Sequence, residues 1–121
     1  MPHGLLDRDM MHILEAARSF PEISQLVLFG SRAKGNYKTA SDVDLAIKGA
    51  FVTYDTAVRL ADVLNEEKPL PYFFDVIHYE AITDPRLVEH IDRVGVVLYS
   101  KESEQEEKQQ LHSLKSQEET A

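Results

Sequence analysis

Two aspartates separated by one residue are the clearest chemical feature of the sequence. Asp42 and Asp44 stand in the run Ser41-Asp42-Val43-Asp44, where apolar and polar residues alternate. In a β-strand, side chains two residues apart lie on the same face, so these carboxylates would be close neighbours. Adjacent carboxylates repel each other unless a cation lies between them. The pair therefore indicates a site for divalent metal, while a lone Asp-x-Asp is also found on ordinary solvated strands.

A glycine turn precedes this pair. The apolar run Leu26-Val27-Leu28-Phe29 predicts a buried strand, and Gly30 and Ser31 follow it at the start of a short helix. Glycine lets the backbone approach a phosphate closely, and a helix N-terminus presents N–H groups to an anion. Ser31 adds a hydroxyl, and Arg32 is a better candidate for a phosphate contact than Lys34. Taken alone, the same residues describe an ordinary strand-to-helix turn.

A third carboxylate, Asp75, lies inside the apolar segment Tyr72-Phe73-Phe74-Asp75-Val76-Ile77. Burying a carboxylate is costly unless it is paired or bound to metal. Asp75 is therefore either a metal ligand or an ordinary residue on an exposed strand face. The histidines, including His90, show no spacing that is typical of metal ligands.

Helices and strands alternate along the predicted chain. Helices are predicted from Asp7 or Asp9 to about Ser19, after Gly30, from Thr53 or Asp55, and from Asp84-Pro85 to Arg93. Strands are predicted over residues 26–29, 42–48, 72–77 and 96–99. The second strand has a packed face and a polar face, formed respectively by Val43, Leu45 and Ile47 and by Asp42, Asp44, Ala46 and Lys48. This order predicts an α/β fold.

Length and charge limit the class of protein. The 121 residues favour one domain, residues 1–100, followed by a polar tail over 101–121, helical or disordered, in which only Leu111 and Leu114 are large and apolar. The chain has 13 basic and 21 acidic residues, a net charge of −8. This balance argues against direct binding of nucleic acid, and it requires cations wherever a triphosphate is bound.

The sequence contains no cysteine, so disulfides and thiolate metal sites are excluded. The segment from Met1 to Asp9 lacks a signal-peptide pattern, and no apolar run approaches the roughly 20 residues that span a membrane. We therefore expect a cytoplasmic protein without a membrane partner.

Taken together, Gly30-Ser31, ten further residues and Asp42-x-Asp44 resemble the signature of the DNA polymerase beta nucleotidyltransferase superfamily. Asp75 is the match for the third carboxylate of that family. Over residues 10–100, length and layout resemble the minimal nucleotidyltransferases, the small partners of HEPN proteins in two-gene toxin–antitoxin modules. The resemblance implies a polymerase beta-like α/β fold, with a mixed sheet of about four strands and helices packed on it.

The resemblance also implies a reaction and a set of residues. The reaction is Mg²⁺-dependent transfer of AMP from ATP, with two metal ions, to a tyrosine of a cognate HEPN RNase toxin, which would make the chain an antitoxin. The alternative is a module that neutralises or completes its helical partner by contact, with a vestigial site or a small-molecule acceptor. The implied catalytic metal ligands are Asp42, Asp44 and Asp75, and the implied nucleotide contacts are Gly30, Ser31, Arg32 and Ser41.

Overall fold

The structure, a computed structural model, describes residues 3–38 and 41–102. The predicted tail lies outside these ranges except for Lys101 and Glu102. The Lys101 N–H donates to the Ser24 carbonyl, and its Nζ donates to the Pro21 carbonyl, each at 2.9 Å. The chain thus remains attached to the loop before the first strand up to the predicted domain boundary.

Helices and strands alternate within the described residues in the predicted order. The strands are β1 (Gln25–Phe29), β2 (Val43–Lys48), β3 (Phe74–His78) and β4 (Val96–Ser100). The helices are α1 (Asp7–Arg18), α2 (Gly30–Lys34), α3 (Tyr54–Asp62) and α4 (Pro85–Val94). A π-helical turn, Val63–Glu67, extends α3, and a 3-10 turn, Tyr79–Ala81, follows β3.

The four strands form one mixed sheet in the order β3-β2-β1-β4. Strand β1 is antiparallel to β2 and β4, whereas β2 and β3 are parallel. Parallel neighbours need a crossover connection, and α3 supplies it. The predicted mixed sheet is confirmed, and β3 is one of its two edges. In the part of the chain that the structure describes, none of the helices is both long enough and apolar enough to cross a membrane.

Each face of the sheet carries an apolar layer. On the face covered by α1 and α3, the buried strand residues include Leu28, Val43, Leu45 and Ile47. On the opposite face, Ala46 is buried with Val27 and Phe29 under Ile91 of α4. The predicted polar face of β2 is therefore closed at Ala46, because α4 covers its centre. Only the ends of that face, at Asp44 and Lys48, stay partly open to solvent.

Two helices begin as predicted and one does not. Thr53 caps α3 by accepting the Thr56 N–H at 3.3 Å, and Asp84 caps α4 by accepting the Arg86 N–H at 2.9 Å. The first residue before α1 is Leu6 rather than an aspartate. The Asp9 carboxylate, in the first turn of the helix, instead accepts the Leu6 N–H at 3.1 Å. It thereby satisfies a backbone N–H at the helix start that has no partner within the helix.

Strand β3 begins two residues later than predicted, and Tyr72 lies before it. The Tyr72 hydroxyl donates to the buried Asp9 carboxylate at 2.9 Å. A contact between residues so distant in sequence joins α1 to the segment that leads into β3. The strand boundary therefore depends on a tertiary contact and not on the local apolar run.

Candidate active site

Two of the three predicted carboxylates are neighbours across the sheet. Asp44 of β2 and Asp75 of β3 are register partners on adjacent parallel strands. Neighbouring strands lie about 4.8 Å apart and paired side chains share a face, so the two carboxylates project side by side. Asp42 is exposed directly before β2, two residues ahead of Asp44. The fold thus brings residues 42, 44 and 75 to one end of the parallel strand pair.

Electrostatic repulsion is concentrated on Asp44. Burial raises the pKa of the Asp44 carboxyl above its ordinary value, and the charges of Asp75 and Asp42 raise it further. His90 acts in the opposite direction. A carboxyl group that is partly removed from water and faces two others is stabilised when a cation comes close to it.

The donor set fits a hard divalent cation, because carboxylate oxygens are the ligands that Mg²⁺ prefers. Over residues 3–38 and 41–102, no three acidic or histidine side chains are arranged closely enough to hold one ion in common. Asp75 and Asp42 are near enough to raise the pKa of Asp44, although the three side chains do not form a closed ligand cage. Mutual repulsion between carboxylates favours such a spread arrangement.

The structure does not bury Asp75, although it follows an apolar run. Its side chain is exposed on the edge strand, so the cost of burying a charge does not identify it. The register with Asp44 is what links Asp75 to the site. This pairing could not be read from the sequence, because either orientation of β3, and registers that differ by two residues, would have kept the same residues of β3 facing the core.

Gly30 lies directly against the Asp44 side chain. Its φ is +77°, a left-handed conformation that glycine adopts without strain. A β-carbon at this position would collide with the Asp44 carboxylate. Ser31 follows as the second residue of α2 and is partly exposed. The Gly30 turn and the Asp44 carboxylate therefore lie in contact, and their common role in binding nucleotide stays a prediction.

His90 is a residue of the site that sequence reasoning missed. Its Nε2 accepts the Gly30 N–H at 3.3 Å, and its ring meets Phe29 edge-on with centroids 6.2 Å apart. Helix α4 thus holds the glycine turn in place from the far side. Sixty residues separate the two partners. No metal-ligand spacing or local motif could have indicated this contact.

The Arg32 side chain is buried and bonds to backbone carbonyls. It is 1% exposed, with Nε and Nη2 donating to the Ser41 carbonyl at 3.2 and 3.0 Å. Nη1 donates to the His3 carbonyl at 3.0 Å, and the guanidinium lies between the rings of Tyr37 and Tyr72. The structure contradicts the predicted nucleotide contact, because a guanidinium buried in this way cannot reach a ligand in an open cleft.

Ser41 belongs to the same arrangement. Its hydroxyl accepts the Lys38 N–H at 2.8 Å, while its carbonyl accepts the two bonds from Arg32. The residue that follows Ser41 is Asp42, so Arg32 fixes the backbone from which the first carboxylate projects. A direct contact of Ser41 with nucleotide stays a prediction.

Replacing Arg32 with alanine is expected to lower the free energy of unfolding by about 3 kcal/mol. The buried carbonyls of Ser41 and His3 would lose their charged donor, and two tyrosine rings would lose their packing partner. Urea denaturation measures the change. Arg86→Ala is the control, since Arg86 is highly exposed and bonds only Asp84 on its own helix end. Equal stability of the two variants would show that the Arg32 contacts are dispensable.

Known proteins resemble both the sequence and the fold. Residues 12–104 match the family model described as "Polymerase beta, Nucleotidyltransferase". Comparison with curated protein sequences gives no significant match. Solved structures give strong matches over nearly the whole chain.

One of these is a chain of a toxin–antitoxin complex with AMP-PNP, at 20% identity and a TM-score of 0.66, covering 95% of this chain and 94% of that one. Another belongs to a complex of a tri-AMPylated Shewanella oneidensis HEPN toxin with an MNT antitoxin. It is 18% identical with a TM-score of 0.60, covering 93% of this chain and 92% of that one. At such identities the likeness concerns the fold.

Proposed function

Since the chain belongs to the polymerase beta nucleotidyltransferase family, we propose that it transfers AMP from ATP to a tyrosine hydroxyl of a HEPN-type RNase toxin and thereby acts as an antitoxin. The observation that carries the proposal is the side-by-side placement of Asp44 and Asp75 against the Gly30 turn. A non-catalytic descendant of the family would have no reason to retain these carboxylates at the cost of their repulsion.

The reaction forms one bond and breaks one bond at the α-phosphorus of ATP. The acceptor oxygen attacks this phosphorus, the bond to the β,γ-phosphate unit breaks, and pyrophosphate leaves. The hydroxyl proton is released to solvent beside Asp75, which is exposed and open to an approaching acceptor. The Gly30–Ser31 turn binds the β- and γ-phosphates at the start of α2, where helix N–H groups favour anions.

Asp42, Asp44 and Asp75 would hold the metal. When bound, two Mg²⁺ ions would neutralise charge on the triphosphate and the three carboxylates. The protein itself positions the groups that bind the metal and the phosphates. Arg32 fixes the loop that carries Asp42, and His90 fixes the glycine turn beside Asp44. Such positioning accounts for a large part of catalysis in phosphoryl transfer, because little covalent chemistry is asked of the side chains.

A protein acceptor is supported by the size and charge of the domain. The described residues form one small sheet with its covering helices, and this offers little surface for orienting a second small substrate. The net charge of −8 suits a basic, RNA-cleaving partner better than a nucleic-acid acceptor. The solved relatives described as toxin–antitoxin complexes, one with an AMPylated HEPN toxin, agree with this choice.

The deciding test is mass spectrometry of the product of the adjacent gene, the proposed HEPN-type partner, after the two are co-expressed. We expect the partner to carry an AMP adduct on tyrosine with the wild-type chain. The adduct should vanish with Asp42→Ala. This variant removes a carboxylate that is exposed at the strand end, so the fold should persist.

Two other outcomes of this experiment would contradict the proposal. A partner that stays unmodified, yet is fully inhibited by both the wild-type chain and Asp42→Ala, would overturn transfer to protein. It would leave neutralisation by contact as the function. Transfer to added small-molecule hydroxyls, with the partner still unmodified, would instead assign a small-molecule acceptor.

A further inference from the structure

A groove of about 700 Å³ runs along the outer edge of the sheet, between α3 and β3. Its walls carry exposed apolar side chains, of which Phe73 is 60% and Tyr54 is 80% accessible. Val58, at 40%, stands between them on α3. The same groove is lined by Asp75, so it opens directly onto the candidate active site.

The floor of the groove is the edge strand β3, whose outward backbone groups do not pair with another strand of the described chain. Asn65 pairs with Phe74 as a neighbouring strand would, donating to its carbonyl at 3.0 Å and accepting its N–H at 2.8 Å. Both backbone groups of Phe74 therefore point away from β2. Along a strand, every second residue points its backbone N–H and carbonyl to the same side. The N–H and carbonyl of Val76 therefore also face the groove. An extended backbone can pair with Val76, beyond the position that Asn65 occupies, without displacing any strand of the sheet.

The sheet geometry determines where the side chains of such a segment would lie. A residue paired beside Asp75 on the added strand shares its face, with β-carbons about 5 Å apart. Asp44, Asp75 and this added side chain would stand in a row across the sheet. The residues before and after it on the added strand would point to the other face, towards α3 and Val58.

The negative charge of the groove favours a basic segment as its ligand. Its charged lining residues within the described chain are Asp62, Glu66 and Asp75, and all three are acidic. Apolar walls between acidic residues favour a segment that combines an apolar or aromatic residue with lysine or arginine.

We propose that this groove binds the acceptor segment of the partner protein as an added, extended strand along β3, with basic residues flanking the hydroxyl that enters the site at Asp75. The inference rests on the proposed function for the identity of that partner. It adds the surface by which the acceptor is held, and it accounts for an aromatic, acidic cleft next to the carboxylates.

The test compares two valine-to-arginine variants at opposite edges of the sheet. Val58→Arg places a cation in the groove, whereas Val97→Arg places one on β4, where Val97 is 53% exposed. Binding of the proposed HEPN-type partner, the purified product of the adjacent gene, is measured by calorimetry. We expect Val58→Arg to weaken binding by about tenfold or more, and Val97→Arg to bind as wild type does. Melting curves show whether each variant folds.

A second measurement uses the unaltered chain. Addition of the same HEPN protein should slow hydrogen exchange at the Val76 amide and leave the Val97 amide unaffected. The proposal that this groove binds the partner is overturned if Val58→Arg leaves binding unchanged. It is also overturned if the partner gives no protection of the Val76 amide. Loss of binding through Val58→Arg without any AMP adduct in the wild-type complex would instead retain the groove and reject the proposed transfer.

Discussion

Replacing Asp44 with asparagine is expected to lower the rate of AMP transfer by about 10³-fold or more while leaving the fold intact. Asp44 is the central carboxylate of the site, with Asp75 beside it, Asp42 two residues before it, and the Gly30 turn in contact with it. Asparagine keeps its shape and loses its charge. A rate difference therefore reports on metal and phosphate chemistry rather than on packing.

The same substitution should raise stability in the presence of a chelator. The raised pKa of Asp44 means that the folded state binds its proton more tightly than the unfolded state does. Ionised Asp44 therefore weakens the fold at neutral pH, and neutral asparagine removes this cost. The melting temperature of Asp44→Asn should exceed that of wild type by a few degrees at pH 7. The difference should shrink as the pH falls through the pKa of Asp44.

Turnover with labelled ATP and calorimetric melting provide both measurements. Asp7→Asn is the matched control, because Asp7 is exposed in the first turn of α1 and outside the site. We expect it to retain wild-type turnover. Wild-type turnover by Asp44→Asn would refute the assignment of the acidic pair as the catalytic centre.

Removal of divalent metal is expected to weaken ATP binding by about 100-fold or more. The triphosphate would meet three aspartates in a protein of net charge −8, and the buried Arg32 is not available to offset them. Repulsion between such groups is strong where solvent is partly excluded. Calorimetric titration of ATP with Mg²⁺ and with EDTA measures the difference.

Adenosine is the control ligand, since it has the same base and sugar without the phosphates. Its affinity should not change when Mg²⁺ is replaced with EDTA. If ATP bound equally well in both conditions, cations would not be bridging it to the carboxylates. The phosphates would then have to bind elsewhere on the protein.

Several features of the site could be predicted from the sequence because they depend on a few consecutive residues. The two-residue period of a strand places Asp42 and Asp44 on one side. The glycine after an apolar run indicates the turn, and its φ of +77° agrees with that prediction. Thr53 and Asp84 likewise mark helix starts through bonds to backbone groups only two or three residues away.

Other features were decided by contacts between distant segments. The register of β3 on β2 brings Asp75 to Asp44, and the docking of α4 brings His90 to Gly30 and covers Ala46. The burial of Arg32 depends on three separate segments that meet around its guanidinium. Local propensity is set by the backbone and side chains of neighbouring residues. Register, burial and long-range pairing are set by how whole elements exclude water together, and a linear pattern does not contain that information.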